Sequence, residues 1–472
     1  MGAIMSAVQM AAGYCFCNTA STICTTCLES RSASSTGRKR SVILLVMAIL
    51  FALLFQYTLA PSILHKNKLW NLYKSIPGMG KLLYSSWTEN CDRFGDLDGD
   101  KADLYVQCVQ NSGVYRPMGV ASIFFAISAI GTYVNPSLNR EIWGSKYLAY
   151  LIGLIISMFV PNSFFMGFSL VLVRLCAMAF IVIQQVILID MAYNWNESWV
   201  EKSNQCEARE WGSGKKWLQA IVASAILLYI GSFVGIGLLY KHFSGCGGNE
   251  AVITLTWIGI LLMSGIQLSG EEGSLLTTAV ISAYSTYIAY ATVSKNPSAV
   301  CNPTLGNEDV WGIAVGMFLT VLSLSWTGFS FTAQERLSEA GIESTRALNP
   351  SDPARPDAAS LNLDTPFLDP EERRTEGLVV QPNENDNFNS AAGSLIWKLN
   401  IVLMLISCWV TASLTGWGTI SGGVGAEGEH TAANPLVGRF NMAMMAVAQN
   451  LAVCLYLWTL LAPTLFPDRV FV

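Results

Sequence analysis

The sequence predicts an all-α integral membrane protein of about ten transmembrane helices, the fourth being the longest. Three observations carry this. The chain is 52% hydrophobic and only 13% charged, whereas soluble domains average about 25% charged residues. Ten apolar runs lie near membrane length, at 41–60, 117–134, 147–162, 164–192, 216–240, 251–269, 277–294, 310–332, 395–417 and 438–462; a helix needs about 20 residues to cross a hydrocarbon core roughly 30 Å thick. These runs lack the polar face that a soluble helix turns to water.

In chain order, residues 1–40 form a cytoplasmic segment with Cys15, Cys17, Cys24 and Cys27 and no Lys or Arg before Arg31. A cleavable signal needs a basic start, a longer apolar centre and a cleavage site, so none is expected here. Cysteines beside a membrane suit thioester lipidation, and Met1-Gly2-Ala-Ile-Met-Ser6 fits the myristoylation pattern at Gly2. Zinc is the alternative for the cysteines, but Cys-x-Cys-x6-Cys-x2-Cys is not a usual zinc spacing.

Span one is followed by a long outer loop, 61–116, with an acidic run at Asp96, Asp98, Asp100 and Asp103. Lys101 stands where a calcium loop needs glycine, and no Glu closes that loop, so the run reads as a solvated turn. Spans two, three and seven are short. Span four exceeds the bilayer and is expected to tilt or extend past it. Residues 333–394 carry Pro350, Pro353, Pro356, Pro366, Pro370 and Pro382 among many polar residues; such a stretch buries too little apolar area to order itself and reads as a disordered cytoplasmic linker. Spans nine and ten and a short tail complete the chain at 395–472.

Ten spans put both termini on one side, and the positive-inside rule chooses the side. With the amino terminus inside, sixteen Lys and Arg fall in cytoplasmic segments and nine outside, Arg116 among the nine. Both termini are therefore expected in the cytoplasm. Cys91, Cys108, Cys246 and Cys301 then face a compartment that permits disulfides. Cys91 and Cys108 share a loop and form the favoured pair, which leaves Cys246 and Cys301; four unpaired thiols remain the alternative.

The stretch Gln184–Lys202 ends the longest span in Asp190, Trp195, Glu197, Trp199 and Glu201. Indoles at headgroup depth beside carboxylates mark a membrane–water interface. Arg174 is a full charge within that span and is expected to face protein or water. At about 100° per residue, Arg174 and Gln185 fall about 20° apart on one helical face, with Asp190 roughly opposite. Thr278, Ser282 and Ser285 recur at i, i+4 and i+7 in span seven, a face suited to close packing or to a wet groove wall. Gly231-x3-Gly235 and Gly312-x3-Gly316 read as packing motifs. Gln267, Glu271 and Glu272 cluster at the inner end of span six; with Lys215 and Lys216 they form a candidate headgroup site, or ordinary solvated loop charge.

No enzyme constellation emerges. His65, His242 and His430 join no metal spacing, and no Walker loop or cofactor motif occurs. No basic block is large enough for nucleic acid.

The Gln184–Lys202 string, with its Trp195-Asn-Glu-Ser-Trp-Val-Glu201 core, resembles the serine incorporator (TMS) family of membrane proteins. Other parts agree in order: the early cysteines after Met1-Gly2; Cys108 followed by Gly113-Val-Tyr-Arg116; Val160-Pro161-Asn162-Ser-Phe164; Cys301-Asn302-Pro303; and Tyr456-Leu-Trp458-Thr-Leu-Leu-Ala-Pro463. A Pro-rich stretch typical of the family before span seven is replaced here by Gln267–Thr278, which has no proline, and Arg174 lies outside the family pattern. The resemblance implies ten helices in two subdomains with a long tilted helix between them, and a role in lipid biology. Phospholipids are the implied partners, with serine or lipid-synthesis enzymes as the alternative. Two activities follow: energy-independent phospholipid scrambling, or accessory supply of serine for phosphatidylserine and sphingolipid synthesis. A third reading, a secondary transporter of a small polar solute, favours broken helix pairs, and no clear pair stands out.

Overall fold

The computed structural model describes residues 35–64, 79–94, 102–135, 138, 143–269, 274–305, 312–326, 384–424, 430–432 and 435–465. Helix α1 runs through Ser35–Leu54, a π-helical turn Phe55–Leu59, and Ala60–Leu64. It is followed by α2 (Met79–Thr88), α3 (Ala102–Val134) and α4 (Trp143–Ser157). A helical turn Asn162–Phe164 and a π turn Phe165–Ser169 lead into α5 (Leu170–Arg209). Then come α6 (Lys215–Phe243), α7 (Gly247–Ser269), α8 (Leu275–Val293) and α9 (Gly312–Trp326). The chain closes with α10 (Glu384–Leu414), a two-stranded antiparallel ribbon of β1 (Ser421–Val424) and β2 (His430–Ala432), and α11 (Pro435–Leu465).

All ten apolar runs are helical, but seven segments, not ten, are long and apolar enough to span a membrane on that basis alone. The other three differ for physical reasons. Helices α4 and α9 are short. Helix α8 is long enough but too polar, with thirteen of its 19 residues buried. It is walled in by α5, α6, α7 and α11, so it needs little lipid-compatible surface. Helix α6 is the opposite case: Leu227, Ile230, Val234 and Leu238 stand exposed along its outer face.

Two boundaries move relative to the sequence reading. Helix α3 begins at Ala102, inside the expected outer loop 61–116, with Asp103 in its first turn. Its first half is polar yet buried against protein, so hydropathy alone misses it. Arg116 accordingly belongs to no loop: it is 0% exposed. Helix α10 begins at Glu384, inside the expected linker 333–394. The rest of that linker, the amino-terminal residues Gly2, Cys15, Cys17, Cys24 and Cys27, the acids Asp96, Asp98 and Asp100, and the pair Glu271 and Glu272 lie outside the described residues.

Helices α1, α3, α4 and α10 form one bundle and α6, α7, α8 and α11 a second, with α5 packed against α10 on one side and α8, α11 and α6 on the other. A continuous apolar core crosses this seam, including Phe125, Phe180, Trp409, Ile281, Ile288 and Met445. Within a bilayer, such helices associate by close packing and interhelical hydrogen bonds. Small residues provide that closeness. Gly113 of α3 lies on the backbone of the π turn in α1, where a Cβ would stand 2.9 Å from the Phe55 carbonyl. Gly235 faces Thr286 and Gly316 faces Tyr287, the packing role expected of the two motifs, whereas a Cβ at Gly231 would meet nothing within 4 Å.

At 1.5 Å per residue, the forty residues of α5 extend about 60 Å, twice a hydrocarbon core of roughly 30 Å. Its apolar half ends near Asp190 and the remainder continues as a polar hairpin with α6. There Glu207 accepts the backbone N–H groups of Gly212 and Gly214 at 2.9 and 3.1 Å. Trp195, Trp199 and Trp217 stack edge to face along the hairpin, with Lys202 Nζ 5.1 Å from the Trp217 ring.

Candidate functional site

Cys91–Cys108 and Cys246–Cys301 are both disulfide-bonded, with Cα separations of 5.7 and 5.8 Å. This is the favoured pairing of the sequence reading. Each bridge holds one bundle at the same end of the molecule: the first joins the α2 end to α3, the second the α6–α7 turn to the α8–α9 loop. The first bridge sits in a core with Leu83, Trp87, Val109 and Ile420.

Beside it, Arg116 of α3 is fully buried without a carboxylate partner among the described residues. It donates to Ser112 O and Oγ at 2.7 and 2.6 Å, to Ser86 O at 2.9 Å and to Val160 O at 3.1 Å. Its guanidinium lies 4.4 Å from the Trp87 ring centroid. A planar cation that forks between carbonyls and stacks on indole is the role for which Arg is suited and Lys is not. It fastens α2, α3 and the turn before α5 together, which gives a physical account of the Val-Tyr-Arg and Val-Pro-Asn motifs.

The second bridge organises a loop of asparagines. Asn249 Nδ2 donates to Phe243 O at 3.0 Å and Cys301 O at 2.9 Å. Asn302 Nδ2 donates to Ser294 O and Asn296 O at 2.8 and 3.1 Å, and its Oδ1 accepts from Thr304 Oγ1 at 2.7 Å. Cys301-Asn302-Pro303 thereby fixes Thr304.

Thr304 lines two spaces. On one side is an apolar groove of about 700 Å³ between α6 and α8, lined by Leu227, Gly231, Gly235, Leu238, Thr286 and Tyr290. Leu227 and Leu238 on its rim are exposed. On the other side is a polar cavity of about 120 Å³ between the two bundles. Its walls come from the π turn of α1 (Gln56), the polar half of α3 (Gln107, Gln110, Asn111), the α8–α9 loop (Lys295, Asn302) and the end of α10 (Thr415, Gly416). Thr304 lines both spaces.

The residues singled out from the sequence are placed as follows. Arg174 is buried in the second turn of α5 and donates through Nε and Nη2 to the Trp417 carbonyl at 3.1 and 2.9 Å. Gln185 is buried and donates to Ala452 O at 2.7 Å. The two share a face of α5 but meet different partners, one the turn after α10 and the other α11. Thr278 Oγ1 pairs with Tyr456 Oη at 2.9 Å and with Gln267 Oε1 at 3.3 Å. Ser282 Oγ donates to Thr278 O at 2.8 Å. The Ser285 hydroxyl is buried with no hydrogen-bond partner, while its carbonyl accepts from Gln449 Nε2 at 3.0 Å. The hydroxyl face of α8 is thus knitted into α7 and α11. Asp190 accepts from Trp326 Nε1 at 2.7 Å, tying α9 to α5, and Glu197 and Glu201 are exposed.

Sequence reasoning passed over Gln56, Asn111, Lys295, Asn302 and Thr304. A glutamine within the first apolar run was the available signal: a polar side chain at that depth needs a partner. The others sat in what read as loop.

The fold and its spaces define a class: an all-α multi-pass membrane protein of two helical bundles flanking one long helix, with an apolar groove and an inter-bundle polar cavity that share Thr304 as a wall. The family model described as Serine incorporator (Serinc) matches residues 13–469, so the chain belongs to the serine incorporator family. Two of the relatives agree over their full length. A probable serine incorporator of Nematostella vectensis is 24% identical over 510 residues, covering 100% of both chains. Serine incorporator 3 of Bos taurus is 23% identical over 526 residues, again covering 100% of both. Membrane protein TMS1 of Saccharomyces cerevisiae is 24% identical over 205 residues, 41% of this chain and 42% of its own.

Proposed function

We propose that the protein moves phospholipids between leaflets without an energy source, as a scramblase rather than an enzyme. The observation that supports this is Thr304, which lines both an apolar groove and a polar cavity. An amphiphile placed there keeps its tail against α6 and α8 and its headgroup between the bundles. Arg174, Gln185 and Thr278 then act as fasteners of the walls, since each is committed to a partner across a helix interface, while Ser282 bonds back within α8. Trp195, Trp199 and the exposed acids Glu197 and Glu201 anchor the inner end of α5. Both termini are cytoplasmic in this reading, which puts both disulfides on the outer or lumenal side.

The test is reconstitution of the purified chain into vesicles carrying labelled phospholipid in one leaflet. Loss of asymmetry faster than in protein-free vesicles is expected; an equal rate overturns the proposal. The accessory reading, supply of serine to lipid-synthesis enzymes, is less well supported by the cavity. A free amino acid leaves the apolar groove on the other side of Thr304 without a role. That reading predicts instead that deletion of 333–394 abolishes serine-lipid synthesis in cells while scrambling persists.

A further inference from the structure

We propose that Cys176 and Cys408 are an oxidisable thiol pair inside the bilayer, which a lipid-soluble hydroperoxide converts to a disulfide clasping α5 to α10. The proposal is independent of the scrambling reading. Among the described residues the free thiols are Cys176, Cys206, Cys408 and Cys454. Two of them, Cys176 of α5 and Cys408 of α10, meet side chain to side chain where those helices pack. One turn along α5, Phe180 packs on Trp409, the residue after Cys408, with ring centroids 6.0 Å apart. Ser122 of α3 closes a third side, its Oγ 3.6 Å from Cys408 Sγ. Ser122 gives its one hydrogen to Met118 O at 2.9 Å, so the Cys408 S–H is the donor between them. That bond holds Cys408 in place and leaves the lone pairs of its sulfur for Cys176.

Position selects the oxidant. Ser122, Cys176 and Cys408 all lie in segments long and apolar enough to cross a membrane. Cys408 is buried, whereas Cys176 is half-buried beside Leu172 and Leu175, which are 51% and 50% exposed. Cys176 therefore borders the surface that α5 turns to lipid, and Cys408 lies behind it. A hydroperoxide carried on an acyl chain shares that phase. The Cys176 sulfur attacks the terminal peroxide oxygen: an S–O bond forms, the O–O bond breaks, and the thiol proton goes to the departing alkoxide, which leaves as an alcohol. The Cys408 sulfur then attacks the sulfenic sulfur: the S–S bond forms, the S–O bond breaks, and hydroxide leaves as water with the Cys408 proton. Two thiols lose two electrons, and one hydroperoxide is reduced to alcohol and water. The new bond ties the helix between the bundles covalently to the first bundle, two residues along α5 from the hydrogen-bonded tie at Arg174.

The test uses the purified full chain in phosphatidylcholine vesicles treated with cumene hydroperoxide. Alkylation with N-ethylmaleimide after denaturation counts the surviving thiols, and non-reducing peptide mapping finds the links. The wild-type chain is expected to lose Cys176 and Cys408 together into one linked peptide that dithiothreitol releases, while Cys206 keeps its thiol. With each oxidant scaled to its rate with free cysteine in buffer, cumene hydroperoxide links the pair about tenfold faster than hydrogen peroxide, because its apolar body partitions into the bilayer. Cys408→Ser leaves Cys176 as a sulfenic acid that dimedone traps. Cys176→Ser leaves Cys408 alkylatable, because the buried thiol has no route of its own to the oxidant. Misfolding cannot imitate this asymmetry, since it exposes both thiols alike. The linked wild-type chain melts about 4 °C or more above the reduced chain, and treated Cys408→Ser shows no such rise. Cys176 carried on to sulfinic acid in the wild-type chain with Cys408 still alkylatable, or links formed through Cys206 or Cys454 in place of this pair, overturns the proposal. A linked chain that melts no higher than the reduced one overturns the clasp.

Discussion

Arg174 and Trp417 are joined by a two-pronged bond: Nε and Nη2 of the arginine both donate to one carbonyl, at 3.1 and 2.9 Å. Asn441 Nδ2 of α11 is a third donor to the same oxygen, at 3.0 Å. Trp417 holds φ at 59° between Gly416 and Gly418, themselves at 56° and 69°. A bulky residue in the left-handed region is an outlier that costs on the order of 1–3 kcal/mol and persists only where its surroundings determine it. Here they do: the indole is buried against Trp409, with ring centroids 5.9 Å apart, and three N–H groups hold the carbonyl. One oxygen thus ties α5 and α11 to the end of α10, across the seam between the bundles.

Arg174→Met removes two charge-assisted bonds and is expected to destabilise the protein by about 2–3 kcal/mol. Arg174→Lys keeps the charge but loses the fork, so its loss is smaller. Thermal unfolding in detergent micelles measures the order, wild type above lysine above methionine. Unchanged melting in Arg174→Met would show that the node contributes nothing. In vesicles held below its melting point, Arg174→Lys keeps leaflet exchange, because the arginine fastens a wall.

Gly113→Ala tests the contact between α3 and α1. The added methyl meets the Phe55 carbonyl at 2.9 Å and Gln56 N at 3.1 Å, and backbone cannot yield as a side-chain tip can. Overpacking of this kind costs about 1–3 kcal/mol. A lower melting temperature than wild type is the expected result.

The ten apolar runs that fold as helices, and the two disulfides, were legible in the sequence because hydropathy reports apolar surface and cysteine position reports compartment. What hydropathy reports poorly is a helix that faces protein. The first half of α3 and the whole of α8 carry polar side chains satisfied by neighbours, as in Gln449 donating to Thr256 Oγ1 at 2.8 Å and Arg116 to Ser86 O. Periodicity placed Arg174 and Gln185 on one face correctly, yet a shared face does not specify a shared partner. The polar cavity was not legible, because its walls come from residues as distant in sequence as Gln56, Asn111, Asn302 and Thr415. Only the packing of the two bundles brings them together.

Cys301→Ser tests orientation. It frees Cys246, which is half-buried at the α6–α7 turn. With both termini in the cytoplasm, a membrane-impermeant maleimide added to intact cells labels Cys246 of this variant and does not label it in the oxidised wild-type chain. Labelling after permeabilisation of the plasma membrane alone, with internal membranes sealed, would reverse the topology. The same variant is expected to lose phospholipid retention in part, because the bridge holds the loop that positions Asn302 and Thr304.

Gly231→Leu separates transport from folding. Gly231 lines the groove, and a Cβ there meets nothing within 4 Å; Gly235, one turn on, would place a Cβ 2.7 Å from Thr286 Cγ2. A leucine at 231 therefore extends into free space where a tail is proposed to lie. Leucine also has the better helix propensity, by close to about 1 kcal/mol relative to glycine, so the variant is expected to melt at or above the wild-type temperature. If the groove carries the tail, exchange in vesicles falls about tenfold despite that stability, the effect of replacing a favourable apolar contact by an occupied site. If exchange proceeds at the wild-type rate in a protein of undiminished stability, the lipid tail takes another path and the groove between α6 and α8 is only a seam in the packing.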